Sequence, residues 1–467
     1  MITCILHGRI ANDETTVRWA TLPQVSRVHH FPELCSSQSV SEIARICRSE
    51  YLLLCDLSAG DIEITPQALK RMADIAVQTA ADWVYADYHT EKDGKTEPFP
   101  TIDYRQGSLR DDFRFGPLIL LRTSSFRNST KNVCNEKYRY AALYRLRLDM
   151  AKKGHLFHIR EALYRCKAHT GTNDDKAMFA YVDPANREIQ REMEQACTQY
   201  LKEIGAWIAP ESISAVTFDK EKFPCEATVV IPVRNRVKTI GDAIDSALSQ
   251  TTCFPFNVIV VDNHSDDGAT QLIADKSAHA GNLMHLIPER KDLGIGGCWN
   301  EAVYHPSCGR FSVQLDSDDL YADVHTLQKI VDCFYETHAA MVIGAYFMVD
   351  FALRKLLPGL IDHREWTSDN GRNNALRING FGAPRAFYTP ALRETGFPNV
   401  SYGEDYAVAL AISRRFKVGR IYDPVYLCRR WDGNSDAALS VQQQNEYDRY
   451  KDSIRTIELL ARQKHTG

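Results

Sequence analysis

No stretch of this sequence approaches the ~18 to 20 consecutive apolar residues that cross a bilayer as a helix, so a transmembrane protein is not expected. The opening MITCILHGRIANDE has no charged leader, long apolar run or small-residue cleavage site. The expectation is a cytoplasmic chain, with peripheral contact at the inner membrane face as the other placement. CxxC pairs are missing, and the 13 cysteines have no His cluster beside them. That excludes a zinc site and a disulfide framework and leaves reduced, buried thiols. A strong charge of one sign is missing too: 56 Lys and Arg against 60 Asp and Glu give a net charge of −4. Nucleic acid is therefore excluded as the main partner, since phosphate neutralisation calls for a basic surface.

What is present is a long, well-mixed sequence with 44% hydrophobic residues and 21 tyrosines, a composition that folds throughout. At 467 residues it exceeds the roughly 250 to 300 residues at which single cores stop growing, so two domains are expected. ATVVIPV and FNVIVVDN are short β-branched runs, and Ile240, Ile244 and Leu248 recur between them at helical spacing. Strand, helix and strand make a parallel βαβ unit. RFSVQLD, the helix LQKIVDCFYETH and the strand AAMVIGAYF continue an open α/β sheet, whose ligands bind beyond the carboxyl ends of its strands.

The first half repeats this plan. YLLLCDLSAGD and ADWVYADYH parallel RFSVQLDSDDL and AAMVIGAYF, and FGPLILLRTSSFR parallels FGAPRAFYTPALR. Ala81 and Ala339 are 258 residues apart, Phe115 and Phe381 266 apart, so the offset is nearly constant. The fold class expected is α/β: two tandem domains with mostly parallel sheets flanked by helices. Residues 1–180 form the first domain, 181–222 a helical segment and linker, and 223–467 the second domain with a C-terminal helix.

Asp316-Ser317-Asp318-Asp319 falls where a buried strand runs into a turn. Carboxylates one residue apart on an extended segment present oxygens to one side, which suits a hard divalent cation. The plainer reading is an acidic helix cap. Glu404-Asp405 opens a second helical pattern; the plainer reading there is two acids answering the helix dipole.

ATVVIPVRNRVKTIGDAIDSALSQ, VIVVDNHSDDG, LGIGGCWNEAV, VQLDSDDL and GFGAPRAFYTPALRETGFPNVSYGEDYAVALAI, in this order, resemble the landmarks of family-2 glycosyltransferases with the GT-A fold. The resemblance implies that Pro232, Val233, Arg234 and Asn235 border the nucleotide base and that Asp262 bonds the base imide, which implies uridine. It places Arg290, Asp292 and Asn300 along the nucleotide pocket. Asp316 would contact the ribose and join Asp318 at a divalent cation, Mn2+ or Mg2+. Asp405 would be the general base, with Glu404 orienting it. Asp432, Arg429 and Arg430 would belong to a loop that closes over the donor, where this chain has Trp431 and no His. Asn379, Gly380, Gly382 and Arg385 would lie below the acceptor. The implied partners are a UDP-sugar donor and a glycan or lipid-linked glycan acceptor; a role of the first domain in a homodimer is a separate expectation.

In the first copy the metal-ligating position of DSDD is Ser58, within Asp56-Leu57-Ser58-Ala59, and the helix opens with Arg139-Tyr140 in place of the acids. The stretch before the acidic turn is also shorter. A degenerate, non-catalytic GT-A-like domain is expected there. Two other readings are a nucleotidyltransferase, against which IPVRNRVKT lacks a glycine-rich loop, and an inactive glycan-binding or scaffold protein, against which the second set of acids is intact.

Overall fold

The computed structural model describes residues 1–8, 13–168, 186–218, 222–431, 434 and 439–466. The chain divides into two compact units, Met1–Trp207 with Leu439–Gly467, and Ile208–Ala438.

In the first unit β1 (Ile2–His7), β2 (Val25–Phe31), β3 (Tyr51–Asp56), β4 (Gly60–Ile64), β5 (Trp83–Lys92), β6 (Lys95–Phe99), β7 (Leu118–Arg122) and β8 (Leu156–Ala168) form one sheet. Its order is β2-β1-β3-β7-β5-β8-β4, with β6 paired to β5. The run YLLLC of β3 is buried along its whole length, as a central strand covered on both faces requires. The helix Pro66–Gln78 starts where Thr65 accepts from the Ala68 N–H, and it buries Leu69, Met72, Ile75 and Ala76.

The second unit contains β9 (Ala227–Val233), β10 (Phe256–Asp262), β11 (Leu283–Leu286), β12 (Phe311–Gln314), β13 (Leu320–Tyr321), β14 (Met341–Val349), β15 (Lys355–Ile361), β16 (Arg385–Tyr388) and β17 (Val418–Arg429). The order β11-β10-β9-β12-β16-β14-β17-β13, with β15 on β14, repeats the first sheet strand for strand and adds β11. β9, β10, β11 and β12 pair parallel, and β16 is antiparallel to both β12 and β14. Both sheets are thus mixed: parallel strands on one side, and on the other antiparallel pairs together with the parallel pairs β5 to β8 and β14 to β17. Two tandem α/β domains of one plan are what the internal repeat implied.

The expected domain boundaries need two corrections. The helix Arg187–Glu203 and the C-terminal helix Val441–Thr466 both belong to the first unit. On the C-terminal helix Asp448, Asp452, Arg455 and Arg462 are buried, and Asp448 and Asp452 both pair with Arg110. The stretch expected as linker packs on the second unit from Ile208 to Phe218, where the Phe218 ring meets Phe311, Tyr335 and Tyr388. None of the thirteen cysteines is in a disulfide, and eight are buried. No described helix is long and apolar enough to cross a membrane.

Candidate active site

The acidic turn follows β12, at the end of the strand, and its geometry is fixed from both sides. Gln314 donates through Nε2 to Asp316 Oδ1 at 2.9 Å and accepts the Arg385 N–H through Oε1 at 3.0 Å. One carboxamide therefore ties the acidic turn to β16. The Asp316 N–H donates to the Tyr426 hydroxyl at 3.0 Å, and that hydroxyl also bonds Asp319. Asp319 is buried and accepts the Arg429 N–H at 2.7 Å. Burial, followed by Asp316 and Asp318, pushes its carboxyl well above the usual range. Asp319 is thus a buried support for the turn.

Asp318 points to a different set of partners. Its Oδ2 accepts from the Trp431 indole N–H at 3.1 Å and from the Asn434 amide at 3.2 Å. No described residue bonds to Oδ1. The Trp431 ring also lies beneath the Arg236 guanidinium, 5.7 Å from its centroid. Asn434 accepts the Trp431 N–H at 2.7 Å and donates to the Arg429 carbonyl, which folds this short segment onto Asp318. Arg429 itself donates to the Asp318 carbonyl and pairs with Asp242 at 2.7 Å. Asp432 lies outside the described residues. The Arg430 N–H donates to the Val349 carbonyl, extending the β14 to β17 ladder.

The second pair of acids opens the helix Glu404–Ser413. Arg385 reaches it from β16, 2.9 Å from Asp405 Oδ2. Burial works against the Arg385 cation, but Asp405 and Asp316 more than offset it and hold its pKa above the ordinary value. Carboxylates 89 residues apart in sequence (405 − 316) thus share one guanidinium field. Burial pushes Glu404 up to about 8, with Asp405 adding to it, and its Oε2 is buried without a hydrogen-bond partner among the described residues. Asp316 is raised as well, chiefly by burial.

The loop before this helix is seated on the helix Ile295–Val303. A side chain at Gly296 would lie 2.0 Å from the Pro398 carbonyl oxygen, so only glycine lets the loop approach. Asn300 uses both ends of its carboxamide on Phe397, donating to its carbonyl at 2.9 Å and accepting its N–H at 3.0 Å. Asn300 therefore holds the loop that carries the acids. At Gly382, φ is +97° and an added Cβ would strike the His363 ring at 2.6 Å; its carbonyl accepts from Arg385.

Around the end of β9, Pro232 and Val233 pair with Val261 and Asp262. Arg234 is exposed. Asn235, at φ 55°, bonds Ser265 and Asp266 and so joins the two strand-end turns. Asp262 is fully buried, its oxygens accepting from the Ser265 N–H, the Thr270 hydroxyl and, at 3.4 Å, His285. These bonds outweigh burial and keep its pKa below the usual carboxylate value. The next residue, Asn263, donates to the Leu293 carbonyl at 2.8 Å, and its Oδ1 is buried with no partner among the described residues. Arg290 and Asp292 form a bidentate pair on the surface.

Gln314, Tyr426, Asn263 and Asn434 were not expected from the sequence. Only Asn263, directly after Asp262, had a positional signal. Among the described residues no three His, Cys, Asp or Glu side chains form a cluster able to hold a metal by themselves.

A mixed α/β sheet that presents one acidic turn at a central strand end and a second acidic pair on a helix beside it defines a glycosyltransferase domain of the GT-A type. Residues 228–383 match the model of glycosyl transferase family 2. Among solved structures, S. aureus TarS 1-349 in complex with UDP-GlcNAc is similar at 22% identity and a TM-score of 0.37, over 51% of this chain and 72% of that one. The mannosyltransferase PcManGT from Pyrobaculum calidifontis, in complex with GDP-Man and Mn2+, is similar at 16% identity and a TM-score of 0.35, over 62% of this chain and 84% of that one. Comparison with curated proteins gives no match.

Proposed function

We propose that the second unit transfers a sugar from a UDP-sugar to a hydroxyl of a glycan or lipid-linked glycan, with inversion and with the help of a divalent cation. The observation that carries this reading is that Arg385 pairs with Asp405 while Gln314 ties the Arg385 main chain to Asp316. It sets the leaving-group side and the acceptor side of a displacement next to each other.

Asp405 is the general base in this reading. It is partly exposed and ion-paired, whereas Glu404, raised to about 8 by burial, holds its proton at neutral pH and cannot accept another. Glu404 instead shapes the site beside it. Arg385 positions Asp405 and keeps it apart from Asp316.

The acids fit a hard cation. Asp316 and Asp318 offer two carboxylates, and Asp318 Oδ1 is not bonded by any described residue. Mg2+ and Mn2+ commonly bind through one or two protein carboxylates, filling their remaining positions with phosphate oxygens and water. When bound, such a cation neutralises the charge that develops on a nucleoside diphosphate leaving group. Trp431 and Asn434 hold Asp318 in place for that contact.

Asp262 secures the turn beyond β10, and the free acceptor there is Asn263 Oδ1, suited to the imide N–H of uracil. The first unit is read as non-catalytic. Ser58 donates to Asp56, which closes that turn on itself, and the Arg139, Tyr140 and Ala141 N–H groups are taken by Glu192.

The test is release of UDP from a panel of UDP-sugars with Mn2+, by the full chain and by Asp318→Ala. Release by the parent and its loss in the variant are expected. Equal release by both would overturn the metal assignment.

A further inference from the structure

The hairpin β14 to β15 leaves an apolar surface in water that the fold does not need. Phe351, Leu353, Leu356, Leu357 and Leu360 are all exposed, Leu357 to 90%. Among the described residues β15 pairs only with β14, and it is exposed along most of its length. Such a patch marks an interaction site.

The duplicated fold supplies a control within the same chain. The matching hairpin of the first unit, β5 to β6, turns at Asp93-Gly94 and continues as Lys95-Thr96-Glu97-Pro98, exposed and polar. In the second unit the corresponding strand reads Lys355-Leu356-Leu357-Pro358. Leu356, Leu357 and Leu360 thus stand on a strand whose counterpart in the first unit is polar. The same architecture is therefore satisfied by polar residues, and the leucines answer something outside the fold.

Backbone conformation points the same way. Leu353, in the turn, has φ 59°, a left-handed conformation that favours glycine or asparagine and is strained for leucine. Asp350 holds the turn by accepting the Ala352 and Arg354 N–H groups, each at 2.9 Å.

Cations border the leucines. The Arg354 and Arg364 side chains are 80% and 66% exposed, while their partners Asp350 and Asp362 are only 23% and 24% exposed. Lys355 lies over the Phe347 ring at 3.7 Å. Leucines ringed by guanidinium and ammonium groups match the headgroup and acyl boundary of an anionic bilayer. Pro358 has no N–H to give to another strand, which disfavours addition of a second copy along this edge.

We propose that this hairpin seats the second unit on an anionic phospholipid surface and that the acceptor is accordingly lipid-linked; the acceptor part rests on the glycosyltransferase reading above. The anchor adjoins the site, since the Phe351 ring lies 5.6 Å from the Trp431 ring that bonds Asp318.

The experiment compares the full chain with the double variant Leu356→Thr, Leu357→Glu, which copies the polar hairpin of the first unit. Co-sedimentation is measured with vesicles of phosphatidylglycerol and phosphatidylethanolamine and with vesicles of phosphatidylcholine alone. The parent should bind the anionic vesicles, and the double variant should bind them about 10- to 100-fold more weakly. UDP release from UDP-sugars should be unchanged in the variant, which also shows that it is folded. A parent that ignores anionic vesicles, or a variant that binds them equally, overturns the anchor. A parent dimer that the variant dissolves, without vesicle binding, also overturns it and assigns the face to a second copy. Vesicle binding by a parent that releases UDP from no donor leaves the anchor standing and sinks the glycosyltransferase reading with its lipid-linked acceptor.

Discussion

Arg385 stands 2.9 Å from Asp405, and its main chain is held by Gln314, two residues before Asp316. The acid on the helix and the acid on the strand end are thus linked through Arg385 and Gln314. Asp405→Asn should keep donor and cation binding yet lose about 10²- to 10⁴-fold in transfer, the usual contribution of a general base. Calorimetry with UDP and Mn2+ beside single-turnover transfer separates the two effects. Normal transfer would remove Asp405 from the role, and lost UDP binding would make it part of the donor site.

Binding of UDP should require the divalent cation in the parent, and Asp318→Ala should lose this cation-dependent binding. Chelation should abolish turnover of the parent, and Mn2+ or Mg2+ should restore it. Trp431→Phe keeps the ring but removes the N–H that donates to Asp318 at 3.1 Å. It should weaken cation-dependent UDP binding less than Asp318→Ala does, as read by titration of Mn2+.

Glu404 carries a pH signature. Its folded pKa is raised to about 8, above the ordinary 4.5, so folding favours the protonated carboxyl. The stability this contributes is complete below the unfolded value and is lost as pH rises through about 8. Denaturant midpoints of the parent should therefore fall between about pH 5 and 9. Glu404→Gln, neutral throughout, should flatten that decline. An unchanged slope would mean that Glu404 is ionised in the native protein.

In the first unit Ser58→Ala and Tyr140→Phe should leave turnover within a factor of about two, consistent with surface substitutions away from a reacting centre. Glu192→Ala should instead cost about 1 to 2 kcal/mol of stability, because three main-chain N–H groups lose their carboxylate acceptor. A specific loss of the chemical step in Ser58→Ala or Tyr140→Phe would give the first unit a catalytic part.

The repeated architecture was legible because strand and helix periods recur at a nearly fixed offset, and the sheet orders follow it. The acids at 316, 318, 404 and 405 were legible because carboxylates at strand ends and helix starts are local patterns. Asn300 was not: its sequence neighbourhood suggests a pocket, but its carboxamide completes the backbone of Phe397, 97 residues on. The clasp of Trp431 and Asn434 on Asp318 likewise exists only once β17 has returned beside the acidic turn. The C-terminal helix misled for another reason. It follows the second domain in sequence and was expected to belong there, yet its Asp448, Asp452 and Arg455 are buried in a network that includes Arg110 of the first unit.

That helix also sets an order of events during synthesis. The first unit is interrupted in sequence by the whole of Ile208–Ala438 and completed only by residues from Leu439 onward. Domains generally fold as they leave the ribosome, N-terminal first. Here the rule is inverted in part, because the second unit has emerged in full before Asp448 and Asp452 exist to neutralise Arg110. Until then Arg110 has Asp112 beside it but lacks the two carboxylates of the C-terminal helix, and the nascent first unit is incomplete. A stop codon late in the reading frame would thus injure the beginning of the protein more than its middle.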